Sequence, residues 1–170
     1  MARGFTLLEL LITVSVLAIM LAFAAPNFTK MNQQTKMISL ANELQGFFIQ
    51  AKSEAVFRSQ NLWVHIEGMP STTGEWRLTL SSSSILPTSD SPEIIAVLSG
   101  ERYRNLFVDN TDSINSVKFD YVMGNPVQAG SLTLKKHFQD SGGIKVIIHN
   151  RAGRIKVCGI SGESYGFAGC

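Results

Sequence analysis

The chain has 170 residues, a net charge of +2 and a hydrophobic content of 45%. Without its apolar N-terminal stretch, the remaining length is that of one ordinary domain. A small net charge is compatible with a local basic patch, but it does not by itself indicate a nucleic-acid partner. Binding through basic residues would therefore have to come from local clustering.

The first predicted element is a membrane anchor. Between Phe5 and Ala25 the only charged residue is Glu9. A helix over this run is about 31 Å long, which spans the roughly 30 Å hydrocarbon core of a bilayer. The polar leader before it, Met1 to Gly4, carries one basic residue and is too short for an ordinary secretory signal. Arg3 favours a cytoplasmic N-terminus and a C-terminal body on the other side.

Glu9 is the residue that a plain anchor would not carry. An acidic group inside a bilayer costs roughly 2.5 to 3.5 kcal/mol on insertion scales, so such residues usually have a partner and a function. If the chain were cut after Gly4, the new α-amino group of Phe5 would lie one helical turn from Glu9. The two groups could then pair within one helix or between neighbouring helices.

The segment Gly4-Phe5-Thr-Leu-Leu-Glu9, followed by an apolar helix and Pro26, resembles the class III signal of type IV prepilins and type II secretion pseudopilins. The resemblance implies cleavage between Gly4 and Phe5 by a prepilin peptidase and N-methylation of Phe5. It also implies that Glu9 registers an incoming subunit against its neighbour in a filament. A single-pass anchor with an incidental acid is the alternative.

Pro26 should kink the helix or end its membrane segment, because it removes a backbone donor and crowds the preceding turn. Beyond it, apolar residues recur at helical spacing, which predicts one long helix from Phe5 to about Arg58. Its second half is amphipathic. The predicted stripe consists of Met37 or Ile38, Ala41, Leu44, Phe48, Ala51 and Val56.

Alternating segments after the helix predict strands that cover this stripe. The expected fold is α+β, with a long helix, half transmembrane and half amphipathic, packed on an antiparallel β-sheet body. The domain boundaries are a cleaved leader over 1–4, a transmembrane or filament-core helix over 5–25 and a body over 26–170. The predicted strands cover residues 62–67, 75–80, 93–98, 106–108, 116–122, 131–136, 144–150 and 154–158.

The body extends the resemblance. Residues 40–59 are similar to the family's "L…L…AR-x-EA…R" helix end, with Lys52 where arginine is more frequent, and Gly153-Arg-Ile-Lys-Val-Cys158 is similar to the closing strand of the GspH/FimT/FimU subgroup. This implies a minor pilin of a type IV pilus that primes or caps assembly at or near the tip. A GspH-like minor pseudopilin of type II secretion is the alternative. Residues 68–130 match no pattern, which leaves the choice open.

The resemblance also implies a location and partners. The chain would sit in the inner membrane with a single pass and a periplasmic body, and would then move to the filament at the cell surface. Its partners would be other major and minor pilins and, as the enzyme that processes it, the prepilin peptidase.

Cys158 and Cys170 both lie near the end of the chain. In a body exported to an oxidising space they should form a disulfide, which contributes on the order of 3 kcal/mol. Two thiols acting as metal ligands would need further ligands at zinc spacing, and the sequence shows none.

The sequence gives little support to an enzyme. Gly162-Glu-Ser-Tyr-Gly166 matches G-x-S-x-G, but a nucleophile elbow needs a helix after the serine and an acid and a histidine later in the chain. The three histidines have no metal-ligand spacing, and no phosphate-binding loop is present. We therefore expect no catalytic residues, no metal and no cofactor.

A basic cluster precedes the C-terminus, and four of its members are candidate DNA contacts. The cluster consists of Lys135, Lys136, Lys145, His149, Arg151, Arg154 and Lys156. If strands 144–150 and 154–158 pair, their cations share one face opposite an apolar face, an arrangement suited to phosphates. Solvated strand positions or contacts to the next subunit are the alternative. FimT-like minor pilins are implicated in DNA binding through G-R-x-R, but lysine in place of the second arginine loses the bidentate fork. The four candidates are Lys145, Arg151, Arg154 and Lys156.

Overall fold

A computed structural model describes residues 5–150 and 153–170, and for residues 23–30 it describes the helix but not the side chains. The predicted leader, including the cleavage residue Gly4, and the candidate contact Arg151 lie outside the described residues. The side chain of Pro26 also lies outside them.

Helix α1 spans Leu7–Phe57, close to the predicted range of Phe5 to about Arg58. The chain divides into two compact units between Thr35 and Lys36. In the first unit, the large apolar side chains from Leu7 to Leu21 are all exposed, by between 45% and 82%. Over the residues with described side chains, no helix is both long enough and apolar enough to cross a membrane.

Within its described residues, the second unit contains the rest of α1 and eight strands. A short 3₁₀ helix, Gly100–Tyr103, follows the third strand. The strands are β1 Leu62–Glu67, β2 Arg77–Ser81, β3 Ile94–Ser99, β4 Phe107–Asn110, β5 Ser116–Phe119, β6 Gly130–Lys135, β7 Ile144–Ile148 and β8 Ile155–Gly159.

The strands form two antiparallel sheets of four strands each. The first sheet has the order β3-β2-β1-β5 and the second sheet the order β4-β6-β7-β8. The α+β class with antiparallel pairing is therefore confirmed, and the body divides into two sheets, a division that the sequence did not predict. The reason is that β4 pairs with β6 rather than with its chain neighbours β3 or β5. Alternation within a strand predicts which face is buried and not which strand lies beside it.

One buried hydrophobic cluster joins the helix to both sheets. The predicted stripe on α1 is correct up to Ala51, but its last member is wrong. Ala55 is fully buried, whereas Val56 is 42% exposed. Residues 44, 48, 51 and 55 follow the i, i+4, i+7 spacing of one helix face, and Val56 lies about 100° further round.

Three predicted strands are shorter than expected. β7 ends at Ile148 rather than Asn150, and the shortening of β2 and β5 has an identifiable reason. β2 begins at Arg77 rather than Glu75. The preceding Trp76 is buried and stacks on Tyr103, and its carbonyl accepts a hydrogen bond from the Gly100 N–H at 2.9 Å. β5 ends at Phe119 because Asp120 binds the backbone of the residues that follow it.

Candidate functional site

The start of α1 carries the predicted subunit-registration residue. Thr6 Oγ1 accepts a hydrogen bond from the Glu9 backbone N–H at 3.3 Å, so Thr6 caps the helix and Glu9 occupies its first turn. Thr6-Leu-Leu-Glu9 also matches the S/T-x-x-E pattern of a capping box, which marks the start of a helix. This signal in the sequence is independent of the resemblance to prepilins. Phe5 is 69% exposed, and Glu9 makes no ion pair with any described residue.

The two cysteines are linked. The disulfide joins Cys158 of β8 to Cys170, with the Cα atoms 4.9 Å apart. The enclosed loop folds back on the end of β8, where the Gly159 N–H donates to the Ala168 carbonyl at 2.9 Å. A Cβ atom on Gly159 would lie 2.2 Å from the Gly162 carbonyl oxygen, so only glycine permits this close approach.

The G-x-S-x-G segment lies in this loop and forms a tight turn. Ser164 and Phe167 exchange two backbone hydrogen bonds of 3.0 Å. The described residues after Ser164 continue as turn and bridge rather than as the helix that a nucleophile elbow requires. Among the described residues, no group of three or more histidine, cysteine, aspartate or glutamate side chains could hold a metal ion.

Strands β7 and β8 pair with each other, as the prediction of a shared face of basic residues requires. Lys145 lies opposite Cys158 and Ile147 opposite Lys156, and the His149 N–H donates to the Arg154 carbonyl at 3.0 Å. Directly opposed residues share a sheet face, so these cations lie on the outer face of the second sheet. The inner face contributes Ile144, Val146, Ile148 and Ile155 to the core.

The cluster in the sequence nevertheless separates into two groups. Lys135 ends β6 beside Phe107, and Lys136 Nζ lies 5.4 Å from the centroid of the Tyr165 ring. Leu134 is opposite Ile144, so Lys135 lies level with Gly143 of the neighbouring chain segment. Arg154 lies level with His149, six residues further along the sheet. At roughly 3.3 Å per residue this is about 20 Å, so the two groups do not form one patch.

One acidic side chain and one hydrogen bond reduce the free positive charge of the outer face. Asp112 lines a pocket of about 490 Å³ together with Lys145 and His149. Its Oδ2 accepts a hydrogen bond from Ser131 Oγ at 2.8 Å. Lys156 is half-buried, and its Nζ donates to the Cys170 carbonyl at 3.5 Å. Arg154 is exposed and has no carboxylate within ion-pair distance among the described residues.

Lys52 joins α1 to the turn between β7 and β8. Its Nζ donates to the Gly153 carbonyl at 3.1 Å and to Asn125 Oδ1 at 3.4 Å. Gly153 has a φ of 56°, and a Cβ atom there would lie 1.8 Å from Asn125 Oδ1. The turn therefore needs glycine for its backbone conformation and for the space. Sequence reasoning noted Lys52 as a departure from the family pattern and missed this contact.

Asp120 organises the loop that supplies Asn125. Its Oδ1 accepts from the N–H groups of Val122 and Met123, at 3.0 and 2.9 Å, and its Oδ2 accepts from the Asn125 N–H at 2.7 Å. The backbone N–H of Met123 contributes most to lowering the pKa of Asp120, with smaller contributions from Asn125, Val122 and the Lys52 ammonium.

A groove of about 770 Å³ lies beside this turn, and we call it the α1–β8 groove. The last turns of α1 form one wall, and the start of β8 forms the other. Three of its apolar side chains are exposed, Ile49 by 47%, Val56 by 42% and Phe57 by 85%. The lining residues are Ile49, Lys52, Ser53, Val56, Phe57, Gly153, Arg154 and Ile155.

Known protein families match both the N-terminal segment and the body of this chain. A model of the family described as type II transport protein GspH matches residues 40–158, and a model of the prokaryotic N-terminal methylation motif matches residues 1–25. No curated protein matches the chain significantly.

Two crystal structures of the type IV minor pilin FimU from Pseudomonas aeruginosa strain PAO1 share the fold. The first is 20% identical with a TM-score of 0.59, covering 83% of this chain and 96% of the FimU chain. The second is 19% identical with a TM-score of 0.55, covering 76% and 94%. At this identity the likeness shows the fold alone.

Proposed function

The chain belongs to the GspH family of minor pilins and pseudopilins, and we propose that it is a minor pilin of a type IV pilus system. Its role is that of a structural subunit, which primes or caps pilus assembly at or near the filament tip. Other major and minor pilins are its partners, and a prepilin peptidase is the enzyme that processes it.

The exposed apolar start of α1 is the observation that carries this proposal. Every large apolar side chain from Leu7 to Leu21 is at least 45% exposed. Soluble proteins rarely expose so continuous an apolar surface unless another molecule covers it. Lipid covers it before assembly, and the helices of neighbouring subunits cover it in the filament, where close packing replaces a hydrophobic drive. We place the chain in the inner membrane before assembly, with its body in the periplasm.

Processing prepares this helix for assembly. Cleavage after Gly4 exposes the α-amino group of Phe5, which is then N-methylated. Glu9 lies one helical turn further along and, buried among apolar helices, requires a positive partner. The amine of a neighbouring subunit is such a partner, so Glu9 sets the register of incorporation.

The test is Glu9→Gln in the full-length chain, with Glu163→Gln on the exposed C-terminal loop as the control. We expect unchanged membrane levels and about tenfold less Glu9→Gln protein in sheared filaments, because a neutral amide cannot pair with the amine. The control should be incorporated normally. Normal incorporation of Glu9→Gln would contradict the registration role.

The alternative machine is type II secretion, which the description of the matching family model favours. Deletion of the gene separates the two machines. Loss of surface pili with normal secretion supports a minor pilin, whereas loss of secretion with normal pili supports a minor pseudopilin.

DNA contact is a second candidate function, favoured by one observation. Lys145, Arg154 and Lys156 share the outer face of the second sheet, and Arg154 is exposed there. We rank it second because Asp112 borders the same face and because Lys156 is hydrogen-bonded. The sequence also assigned Arg151 to this site.

Titration of full-length protein in detergent with duplex DNA, at low and physiological salt, tests this candidate. Phosphate contacts predict binding that weakens steeply with salt and is reduced by Arg154→Ala and Lys156→Ala. Arg104→Ala, at another exposed arginine, is the control. Absence of binding at low salt would exclude DNA contact by this face.

A further inference from the structure

The α1–β8 groove has apolar walls, and the charged side chains that line it are positive. Ile49, Val56 and Phe57 project from the last turns of α1, and Ile155 contributes from β8. The exposure of Phe57, at 85%, is large for a side chain of this size on an ordered helix. A phenylalanine left in water at this position gains nothing for the isolated chain, which favours a surface that another molecule covers.

A neighbouring loop packs against the helix wall of the groove. A Cβ atom on Gly124 would lie 2.6 Å from Lys52 Cγ and 3.0 Å from Val56 Cγ2, so this loop packs directly against the helix. The adjacent Val122 and Met123 are 66% and 68% exposed. The loop that packs against the helix wall of the groove therefore carries two further exposed apolar side chains.

The charged residues that line the groove are both cations. Lys52 is satisfied by neutral oxygen atoms of Gly153 and Asn125. Arg154 stands at the rim without a carboxylate partner among the described residues. Glu54 is the nearest acid along the helix, and it pairs with Arg58 at 2.6 Å instead. Among the residues that the structure describes, no carboxylate lines the groove, so its charge complement has to come from the occupant.

We propose that the α1–β8 groove docks a segment of a neighbouring filament subunit that presents apolar side chains and one carboxylate, the carboxylate pairing with Arg154. This inference rests on the proposed function, since it needs a neighbouring subunit. The apolar walls suit buried side chains and not the charged backbone of DNA. A planar guanidinium at the rim binds a carboxylate in bidentate fashion, which fixes the register of the docked segment.

Site-specific photocrosslinking tests the proposal in cells that assemble filaments. The full-length chain carries benzoylphenylalanine at Phe57, and a matched variant carries it at Phe138, which is 70% exposed elsewhere on the body. We expect irradiation to link position 57, and not position 138, to another pilin subunit. Arg154→Glu should reduce the yield of this adduct about tenfold through like-charge repulsion, while Arg104→Glu leaves it unchanged.

A charge reversal then identifies the paired carboxylate. Mass spectrometry of the adduct locates the docked segment, and replacing its acidic residue by lysine should restore the adduct in the Arg154→Glu chain. Incorporation into sheared filaments is measured in parallel for every variant.

Each contrary outcome overturns a defined statement. A chain that enters filaments but gives no adduct at position 57 excludes the docking groove and leaves the proposed function intact. The same holds if Arg154→Glu leaves the adduct unchanged, or if the adduct contains lipid or DNA rather than protein. A chain that is absent from filaments overturns both proposals.

Discussion

The last turns of α1 make two neighbouring contacts of opposite character. At the turn between β7 and β8, Lys52 meets oxygen atoms at 3.1 and 3.4 Å, and Gly153 leaves no room for a Cβ atom. In the adjoining α1–β8 groove, Val56 and Phe57 remain 42% and 85% exposed. The comparison shows that the helix uses a polar side chain to hold its own body together and leaves apolar side chains for another molecule.

Substitutions at the Lys52–Gly153 contact should lower the folding stability, whereas substitutions in the α1–β8 groove should leave it nearly unchanged. Filament incorporation should show the reverse order of sensitivity. Single substitutions at the two contacts separate these two properties.

Gly153→Ala should destabilise the body by roughly 2–4 kcal/mol, because it combines a positive φ with a Cβ atom placed 1.8 Å from Asn125 Oδ1. Denaturant unfolding of the full-length protein in detergent measures this loss. Gly162→Ala is the control, since Gly162 has a φ of 95° but no atom within 4 Å of the added Cβ. It isolates the backbone cost of about 1 kcal/mol. Equal losses at both positions would show that Gly153 is not tightly packed.

Lys52→Met should cost about 1–2 kcal/mol, because it removes both hydrogen bonds to Gly153 and Asn125 and keeps the aliphatic stem. Lys52→Arg, the residue more frequent at this place in the family, should retain most of the stability. The same unfolding assay measures both. Wild-type stability in the methionine variant would mean that the helix-to-turn contact contributes nothing.

Asp120→Asn should cost about 1 kcal/mol at pH 7, since the amide group replaces the Oδ2 acceptor of the Asn125 N–H. The pKa of Asp120 is lowered in the folded chain, so its stabilisation is present above the ordinary value of 3.8 and is lost as the pH falls through the folded value. The difference between wild type and variant should therefore shrink below about pH 4.

Asp90→Asn, at an exposed aspartate, provides the comparison for this pH series. It should leave the unfolding free energy within about 0.5 kcal/mol of wild type. A wild-type advantage over Asp120→Asn that stays constant from pH 7 to pH 3 would exclude ionised Asp120 as its source.

Much of the fold could be predicted from sequence, because the periodicities are strong. The i, i+4, i+7 spacing on α1 identified the buried face up to Ala51, and alternation located all eight strands. The prediction was wrong at Val56 because the helix geometry places the smaller Ala55, and not the more hydrophobic Val56, on the buried face. The division into two sheets could not be predicted, since it depends on the long-range pairing of β4 with β6.

The site could be predicted only where local pattern determined it. Pairing of β7 with β8 followed from a short turn between two alternating segments, so the shared face of Lys145 and Lys156 was correct. The distance between Lys135 and Arg154 and the presence of Asp112 beside Lys145 depend on the sheet order. The role of Lys52 depends on a contact across 101 residues, for which the sequence gives no signal.

The most direct test of assembly through unfilled apolar surface is a paired measurement on Phe57→Ser, with Phe138→Ser as the control. Phe57 makes no ring contact with a described residue, so we expect a melting temperature within about 2 °C of wild type for Phe57→Ser. Phe138 packs edge-on against Phe107 with the ring centroids 5.1 Å apart, so Phe138→Ser should lower the melting temperature by about 2–4 °C and is the more stringent control. Incorporation into sheared filaments should fall about tenfold for Phe57→Ser and remain normal for Phe138→Ser, as expected for a large buried anchor at an interface. Normal incorporation of a stable Phe57→Ser protein would contradict the assignment of the α1–β8 groove to subunit contact.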